Sequence, residues 1–423
     1  MFSVLRNAWA LLLGMTLLML GNGIQGTLLG VRGDIEGFTT GEMSFVIGAY
    51  FAGFLLGSQS VPGMIRRVGH VRVFAALGSL ASAGLILYPL LLDPWAWVAL
   101  RLLLGFCFCG VYIVAESWLN NTTANDMRGR ALSLYMIAQM LGIVAAQALF
   151  TQFDPASYTL FVIVSVAVSL AFTPILLSAT PLPPFEKNKP MGFVQLYRTS
   201  PLGFVGIFLL GAVFSALFGM SGVFGAAARL SGSQIATMVS AIYLGGMLLQ
   251  YPIGWLSDRT DRRRMILAGA VIAALACLLG FSGLGGFAGS VAAAFLVGGM
   301  ANPLYGILLA YTNDYLEQDA MAGASARLLF VNGLGAVGGP LVTGWLIARL
   351  GPEGFWVFPG ALMATLAAYA LWRMTRRPVV DQADLSGYVP MAAGAVTPVT
   401  ITTAVDAWED RTGAEADTTE RAA

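Results

Sequence analysis

Two ionisable side chains fall deep inside long apolar runs of this 423-residue sequence, Arg101 in WVALRLLLGF and Glu116 in VYIVAESWLN. A charge in such a setting is costly and is by default a candidate for solute contact or proton transfer. The two stand fifteen residues apart, about 22 Å along a helix, and so serve different levels instead of pairing. Each also has a plainer reading. Arg101, close to Trp95, can snorkel outward to a membrane interface, and Glu116 can be one half of a structural ion pair. A third group is GWLSDRTDRRR, Gly254 to Arg264, a block of charge dropped between two apolar segments. Glycine there lets one helix end approach its neighbour, Asp258 can accept bonds from a helix N-terminus, and the arginines can reach acids on adjacent helices. Such a cluster can latch two helical bundles in one state and release them in another. It can equally be no more than the basic anchor that membrane topology favours.

Uncharged polar residues mark a candidate cavity. Asn22 and Gln25 are three apart, Tyr135 and Gln139 four apart, Asn302 and Tyr305 three apart beside Pro303, and Asn332 stands alone. Spacings of three and four put each pair on one helical face. Each residue has the alternative of an interhelical hydrogen bond.

The elements that must position these residues follow from hydropathy. The chain is 57% hydrophobic and 11% charged, with a mean hydropathy of +0.76, too apolar to fold in water as one globule. A span needs roughly 20 apolar residues. Six runs qualify in the first half, at Ala8–Leu29, Ser44–Val61, Val71–Leu92, Trp95–Trp118, Ala131–Phe150 and Tyr158–Leu177. Six more follow at Leu202–Ala226, Ile235–Leu256, Met265–Leu284, Ser290–Ala310, Leu328–Ala348 and Phe355–Trp372. The first run is too long for a signal peptide, lacks a small-x-small cleavage pattern and leads into further spans, so it reads as an uncleaved helix. With the N-terminus in the cytoplasm, only Arg32, Arg229 and Arg349 of the loop arginines and lysines fall outside. That asymmetry predicts both termini in the cytoplasm. The reading is an all-α membrane protein of twelve transmembrane helices: a six-helix bundle over 1–179, a cytoplasmic linker over 180–200, a second bundle over 201–377 and a disordered acidic tail over 378–423.

Several function classes drop out. The basic residues are confined to short turns, so no nucleic-acid surface is expected. Cys107, Cys109 and Cys277 all lie within predicted spans and suggest neither a disulfide framework nor a metal site. His70 is the only histidine, no H-E-x-x-H or P-loop spacing occurs, and no cofactor is expected, which argues against an enzyme or an ATP-driven pump.

The halves repeat. Arg66-Arg67-Val68-Gly69 after the second span occupies the slot of Asp258-Arg259-Thr260-Asp261 after the eighth, and Gly142 and Gly335 are 193 residues apart. Gly105 and Gly299 make a similar pair. Two homologous halves are the sequence mark of a transporter built from repeats.

The spacing Gly254, Asp258, Arg259, Arg262, Arg263, of the form G-x-x-x-D-R-x-x-R-R, resembles the signature loop of the major facilitator superfamily of secondary transporters, with Asp261 where the family usually has glycine. In the first-half loop, Arg66, Pro62 and His70 replace the family's aspartate, first glycine and arginine. Arg101 to Gly105 is similar to the R-x-x-x-G element of the family's fourth helix, which implies a role for Arg101 in the translocation path or in proton coupling, by holding a substrate anion or lowering a neighbouring acid's pKa. Glu116 followed by RGRALSLY, Arg128 to Tyr135, looks like the fourth-to-fifth helix junction of the sugar-porter branch. There the resemblance implies a cytoplasmic gate in which Glu116 meets Arg67, Arg72, Arg128 or Arg130, with proton carriage by Glu116 as the alternative. Asp314 lies one turn beyond Ala310, the repeat mate of Glu116. GAVGGPLVTG, Gly335 to Gly344, resembles the glycine-proline element of antiporter branches, displaced from the fifth helix to the eleventh. By resemblance, Asn22, Gln25, Arg101, Tyr135, Gln139, Asn302, Tyr305 and Asn332 are the substrate and coupling contacts.

What the resemblance implies is two pseudo-symmetric six-helix bundles around a central cavity, in a monomer of the bacterial inner membrane. It would move a small organic solute by alternating access, with protons as the coupling ion, through Glu116, Glu42 or the substrate's own charge. Facilitated diffusion stays open. So does a receptor or assembly factor that has kept the fold and lost transport.

Overall fold

The computed structural model describes residues 2–122, 128–176, 191–316, 318–376 and 388. Among them the chain is helical, with no strand. In a bilayer core no water satisfies backbone groups, so a spanning chain must close its hydrogen bonds within itself, as a helix does. In chain order the helices are α1 (Phe2–Gly23), α2 (Gln25–Ile35), α3 (Thr40–Val68), α4 (His70–Leu87), α5 (Pro94–Thr122), α6 (Arg128–Phe150), α7 (Thr159–Leu176) and α8 (Phe193–Thr199). They continue as α9 (Pro201–Phe214), a π-helical turn (Ser215–Gly219), α10 (Met220–Ala227), α11 (Gly232–Ser257), α12 (Arg262–Ser282), α13 (Gly286–Asn313), α14 (Gln318–Leu350) and α15 (Gly354–Met374). Among the described residues ten paths are long and apolar enough to cross a membrane, two of them being α1 with α2 and α9 with α10, and shorter apolar helices cover Leu134–Phe150 and Thr159–Pro174. With these two shorter helices the described residues are consistent with twelve spans. Large apolar side chains such as Leu170, Leu248, Leu275 and Leu278 point outward, where lipid replaces water.

The face where α1 begins and α15 ends is called the near face below, and the opposite one the far face. Helix α8 lies in the stretch expected to be a polar linker; 177–190 fall outside the described residues. The acidic tail does too, apart from Tyr388.

The repeat is carried by packing as well as by sequence. Helix α3 lies along α5, and α11 along α13. A Cβ on Gly53 would strike the Leu102 carbonyl and one on Gly105 the Tyr50 carbonyl; in the second half Gly245 meets the Phe295 carbonyl and Gly298 that of Ile242 in the same way. Small residues let the backbones approach where hydrophobicity supplies no drive between helices. The structural mate of Gly105 is therefore Gly298, one residue from the expected Gly299, which packs on Leu249 instead. The starts of the paired helices match too. Thr39 and Glu42 form a reciprocal capping box at α3, and Ser231 and Gln234 form one at α11. Each satisfies amide donors that the first turn leaves unpaired. Glu42, a candidate for coupling, spends its carboxylate on the Thr39 amide at 2.8 Å.

The halves touch at the far face and down to mid-depth. Helix α2 packs on α10, α3 on α14 and α6 on α11. Gly344 of α14 meets Ser44 and the Thr40 carbonyl, Gly333 meets Leu55, and Gly232 meets Phe150. Gly335 and Gly339 bring α14 against the Phe208 and Ala212 carbonyls of α9, so the glycine-proline stretch serves close packing.

Candidate functional site

Two interrupted helices frame the centre. Between α1 and α2 the helix breaks at Ile24, and the Gly23 carbonyl accepts a bond from Gln147 Nε2 on α6 at 3.0 Å. Gln147 Oε1 in turn accepts from the Thr27 hydroxyl at 2.9 Å. A side chain from the neighbouring helix thus satisfies backbone that the break would leave bare in lipid. The π-helical turn Ser215–Gly219 sits at the corresponding place in the second half; such turns occur at functional sites more often than elsewhere.

Beside these breaks lies a cavity of about 730 Å³, counting the part open to solvent, lined by both halves. The first half contributes Met19, Asn22, Gly23, Gly26, Tyr50, Phe51, Arg101, Gln139, Met140 and Ile143. The second contributes Phe214, Phe218, Gly219, Tyr243 and Asn302. An adjoining cavity of about 530 Å³ shares Tyr50, Phe51 and Phe214 and continues along α3 and α14 past Phe54, Leu55, Ser58, Leu329 and Asn332. Numbering rises toward the near face along α3 and away from it along α14, so this extension leads from the centre toward the near face.

A connected network holds the polar wall of the first half. Asn22 Nδ2 donates to the hydroxyls of Tyr50 at 3.0 Å and Tyr112 at 2.8 Å. Gln25 Nε2 reaches Asn22 Oδ1 at 3.5 Å, and Gln25 Oε1 accepts from Arg101 Nη1 at 2.7 Å. The Arg101 guanidinium lies 4.6 Å from the Tyr50 ring centroid, a cation–π contact. Asn302 Nδ2 donates to the Gly298 carbonyl at 3.2 Å, and Asn332 Nδ2 bridges α14 to the Ile207 carbonyl of α9 at 3.1 Å. Tyr305 is buried, with its ring 6.3 Å from that of Phe214.

Glu116 and Tyr135 stand apart from the cavity, nearer the near face. The Tyr135 hydroxyl donates to Glu116 Oε1 at 3.1 Å, and both residues are buried. Arg67 and Arg72 are exposed and make no ion pair with Glu116 among the described residues. The side chains of Arg128 and Arg130 fall outside that description.

In the charged loop, Arg262 is 2% exposed and forms an ion pair with the buried Asp314 carboxylate, while its Nη2 lies 3.4 Å from Asp258 Oδ1. Asp261 caps α12, accepting the Arg263 amide at 3.0 Å, and its carboxylate pairs with the Arg263 guanidinium at 3.0 Å. That cap accounts for an acid where glycine is usual. These bonds run within the second half. Arg259 turns outward, 4.2 Å over the Trp255 ring, with Nη1 on the Trp255 carbonyl at 3.1 Å.

The sequence model of the Major Facilitator Superfamily matches residues 11–231 and 203–393. The chain belongs to this superfamily. It is an integral membrane protein of a transporter family. Among its relatives are an uncharacterized MFS-type transporter of Enterobacter sp. (strain 638), 25% identical over 81% of this chain and 89% of the relative. Another is the uncharacterized MFS-type transporter YcaD of Escherichia fergusonii, 24% identical over the same shares. Solved superfamily structures share the fold. The nucleoside transporter NupG aligns with TM-score 0.69 at 14% identity over 88% of this chain and 99% of its own. A bacterial homologue of the human lysosomal transporter Spinster aligns with TM-score 0.68 at 17% identity over 90% and 98%.

On this superfamily scaffold the cavity gathers Asn22, Arg101, Gln139 and Asn302 from the sequence candidates, with Gln25 behind Arg101 and Asn332 in the extension. Tyr135 and Tyr305 lie outside both linings. Sequence reasoning missed Tyr50, Phe51, Phe214, Phe218 and Tyr243; the aromatic spacing Phe214/Phe218 was the available signal. It also missed Tyr388, whose ring covers Gly254 where a Cβ would overlap it, and whose amide donates to Asp258 Oδ1 at 2.9 Å. Burial pushes the Tyr388 phenol above the ordinary tyrosine range.

Proposed function

We propose that the protein is a secondary transporter that moves a small organic solute by alternating access, as a monomer in the bacterial inner membrane, with its near face and both termini in the cytoplasm. The observation that carries this reading is a cavity lined by both halves, sealed toward the far face by the α2–α10, α3–α14 and α6–α11 contacts and extended toward the near face. A site at the interface of two repeats, flanked by broken helices, is accessible from alternate sides if the repeats rock about it. The near-face surplus of arginine supports the orientation.

Protons are the coupling ion in this proposal. No carboxylate lines either cavity among the described residues, so Glu116, buried beneath the Tyr135 hydroxyl, is the group that exchanges the proton. The Arg262–Asp314 pair keeps the near-face end of the second half rigid during rocking.

The test is uptake into proteoliposomes over sugars, nucleosides, organic acids and cationic drugs, with and without a pH gradient. The reading expects at least one solute to be transported, and Glu116→Gln to abolish gradient-driven accumulation while sparing solute counterflow. Accumulation by Glu116→Gln equal to wild type removes the proton role, and absence of any transport across the panel removes the transport reading.

A further inference from the structure

Resting on the transport reading, we propose that the solute is an amphipathic organic monoanion, whose single negative group docks on Arg101 while its apolar body lies among the aromatic side chains of the cavity.

The argument starts from the charge. Arg101 lines the cavity yet is only 4% exposed. Among the described residues its contacts are all uncharged: Gln25 Oε1 accepts from Nη1, Tyr50 offers its ring, Tyr88 stands nearby, and Nε has no hydrogen-bond partner there. Among the described residues no carboxylate reaches ion-pair distance of it. A buried cation without a counter-charge is among the least favourable arrangements in a membrane protein. The surrounding network aims the guanidinium but does not neutralise it, since Gln25 is held by Asn22 and Asn22 by two tyrosine hydroxyls. A cation held still, undercompensated and facing open space is what an arriving anion requires.

The count of charges sets the valence. In the second half the position equivalent to Arg101 is Ala294, and among the described residues no other arginine or lysine lines either cavity. One fixed positive charge matches one negative group. The remaining wall sets the rest of the molecule. Met19, Met140, Ile143, Phe51, Phe214 and Phe218 are apolar, too much so for a sugar, whose hydroxyls each need a polar partner. Gln139 and Asn302 also line the cavity, and a carboxamide can serve a neutral polar group on the solute as donor or acceptor.

The experiment uses full-length protein in detergent and two matched series, each a carboxylate, its amide and its amine: phenylacetate, phenylacetamide and phenethylamine, and the three 1-naphthyl homologues. Thermal unfolding is followed with each compound and with chloride alone, in wild type, Arg101→Gln and Arg101→Lys. Ligand that binds only the folded state raises the midpoint by mass action. The proposal expects the carboxylates to raise it more than their amides and amines. Arg101→Gln should weaken that effect at least tenfold in apparent Kd, Arg101→Lys should restore part of it, and removing the buried charge should leave the ligand-free midpoint no lower. A series in which no carboxylate outdoes its amide overturns the proposal, as does an effect that survives in Arg101→Gln or that chloride alone reproduces. Proteoliposome uptake of the same compounds separates the two readings: uptake of amides or amines but not carboxylates overturns the anion and leaves transport standing, whereas uptake of none counts against transport itself.

Discussion

Gly30 of α2 and Gly222 of α10 meet across the two halves so closely that a Cβ on Gly30 would come within 2.5 Å of the Gly222 backbone, and one on Gly222 within 2.9 Å of Thr27. The α2–α10 part of the seal on the far side of the cavity is therefore a contact of backbone on backbone. Gly222→Val should hold these half-helices apart and bias the protein away from the state described here. The expected outcome is folded protein with uptake reduced at least tenfold and increased labelling of a cysteine placed at Thr27. Unchanged uptake would mean the seam does not close in the cycle.

Arg262 and Asp314 are each nearly inaccessible and are fifty-two positions apart in the chain. Removing one partner of such a pair strands the other charge, at a cost of about 3–5 kcal/mol. Asp314→Asn should lower the unfolding midpoint markedly in calorimetry, and Arg262→Met with Asp314→Leu should recover much of the loss. Arg259→Ala, which removes an outward guanidinium over Trp255, should cost far less.

Asn22 donates to two tyrosine hydroxyls and lies one residue-contact from the Arg101 guanidinium through Gln25. Asn22→Asp is nearly isosteric and places a carboxylate in the network. It should answer the Arg101 charge from within and cut carboxylate binding at least tenfold, measured by the same thermal shifts, whereas Asn22→Ala should reduce stability by about 1–3 kcal/mol through the hydroxyls it strands.

Tyr388 covers Gly254 and bonds Asp258, so the second-half loop is in contact with the C-terminal segment. Tyr388→Ala should raise protease or thiol accessibility at a cysteine replacing Ser257 at least severalfold. No change there would show that the ring does not cover this surface in the membrane.

The fold was legible because hydropathy reports spans directly and the charged turns report their ends. The repeat was also readable, in the matching charged turns and the Gly142/Gly335 spacing; the matching cap signatures Thr39-x-x-Glu42 and Ser231-x-x-Gln234 went unread. The breaks at Ile24 and Ser215–Gly219 were not, since neither contains proline and the first is sustained by Gln147, more than a hundred residues away in the chain. The cavity aromatics were hidden for a related reason. Tyr50 and Tyr243 line the centre while Tyr251 and Trp255 face outward, and hydropathy cannot tell a cavity wall from a lipid-facing one. The loop arginines are alike in type and close in sequence, yet Arg259 lies in the turn between α11 and α12 and faces outward, whereas Arg262, three residues on, opens α12 and is buried.

The most direct test of alternating access places spin labels at Thr151 and Ser233, exposed ends on the far face, and at Arg72 and Thr375, exposed on the near face. Distances are measured in liposomes with and without a transported solute. The account predicts that across conditions the Thr151–Ser233 distance lengthens whenever the Arg72–Thr375 distance shortens. Two distances that stay fixed, or that lengthen and shorten together, would contradict it.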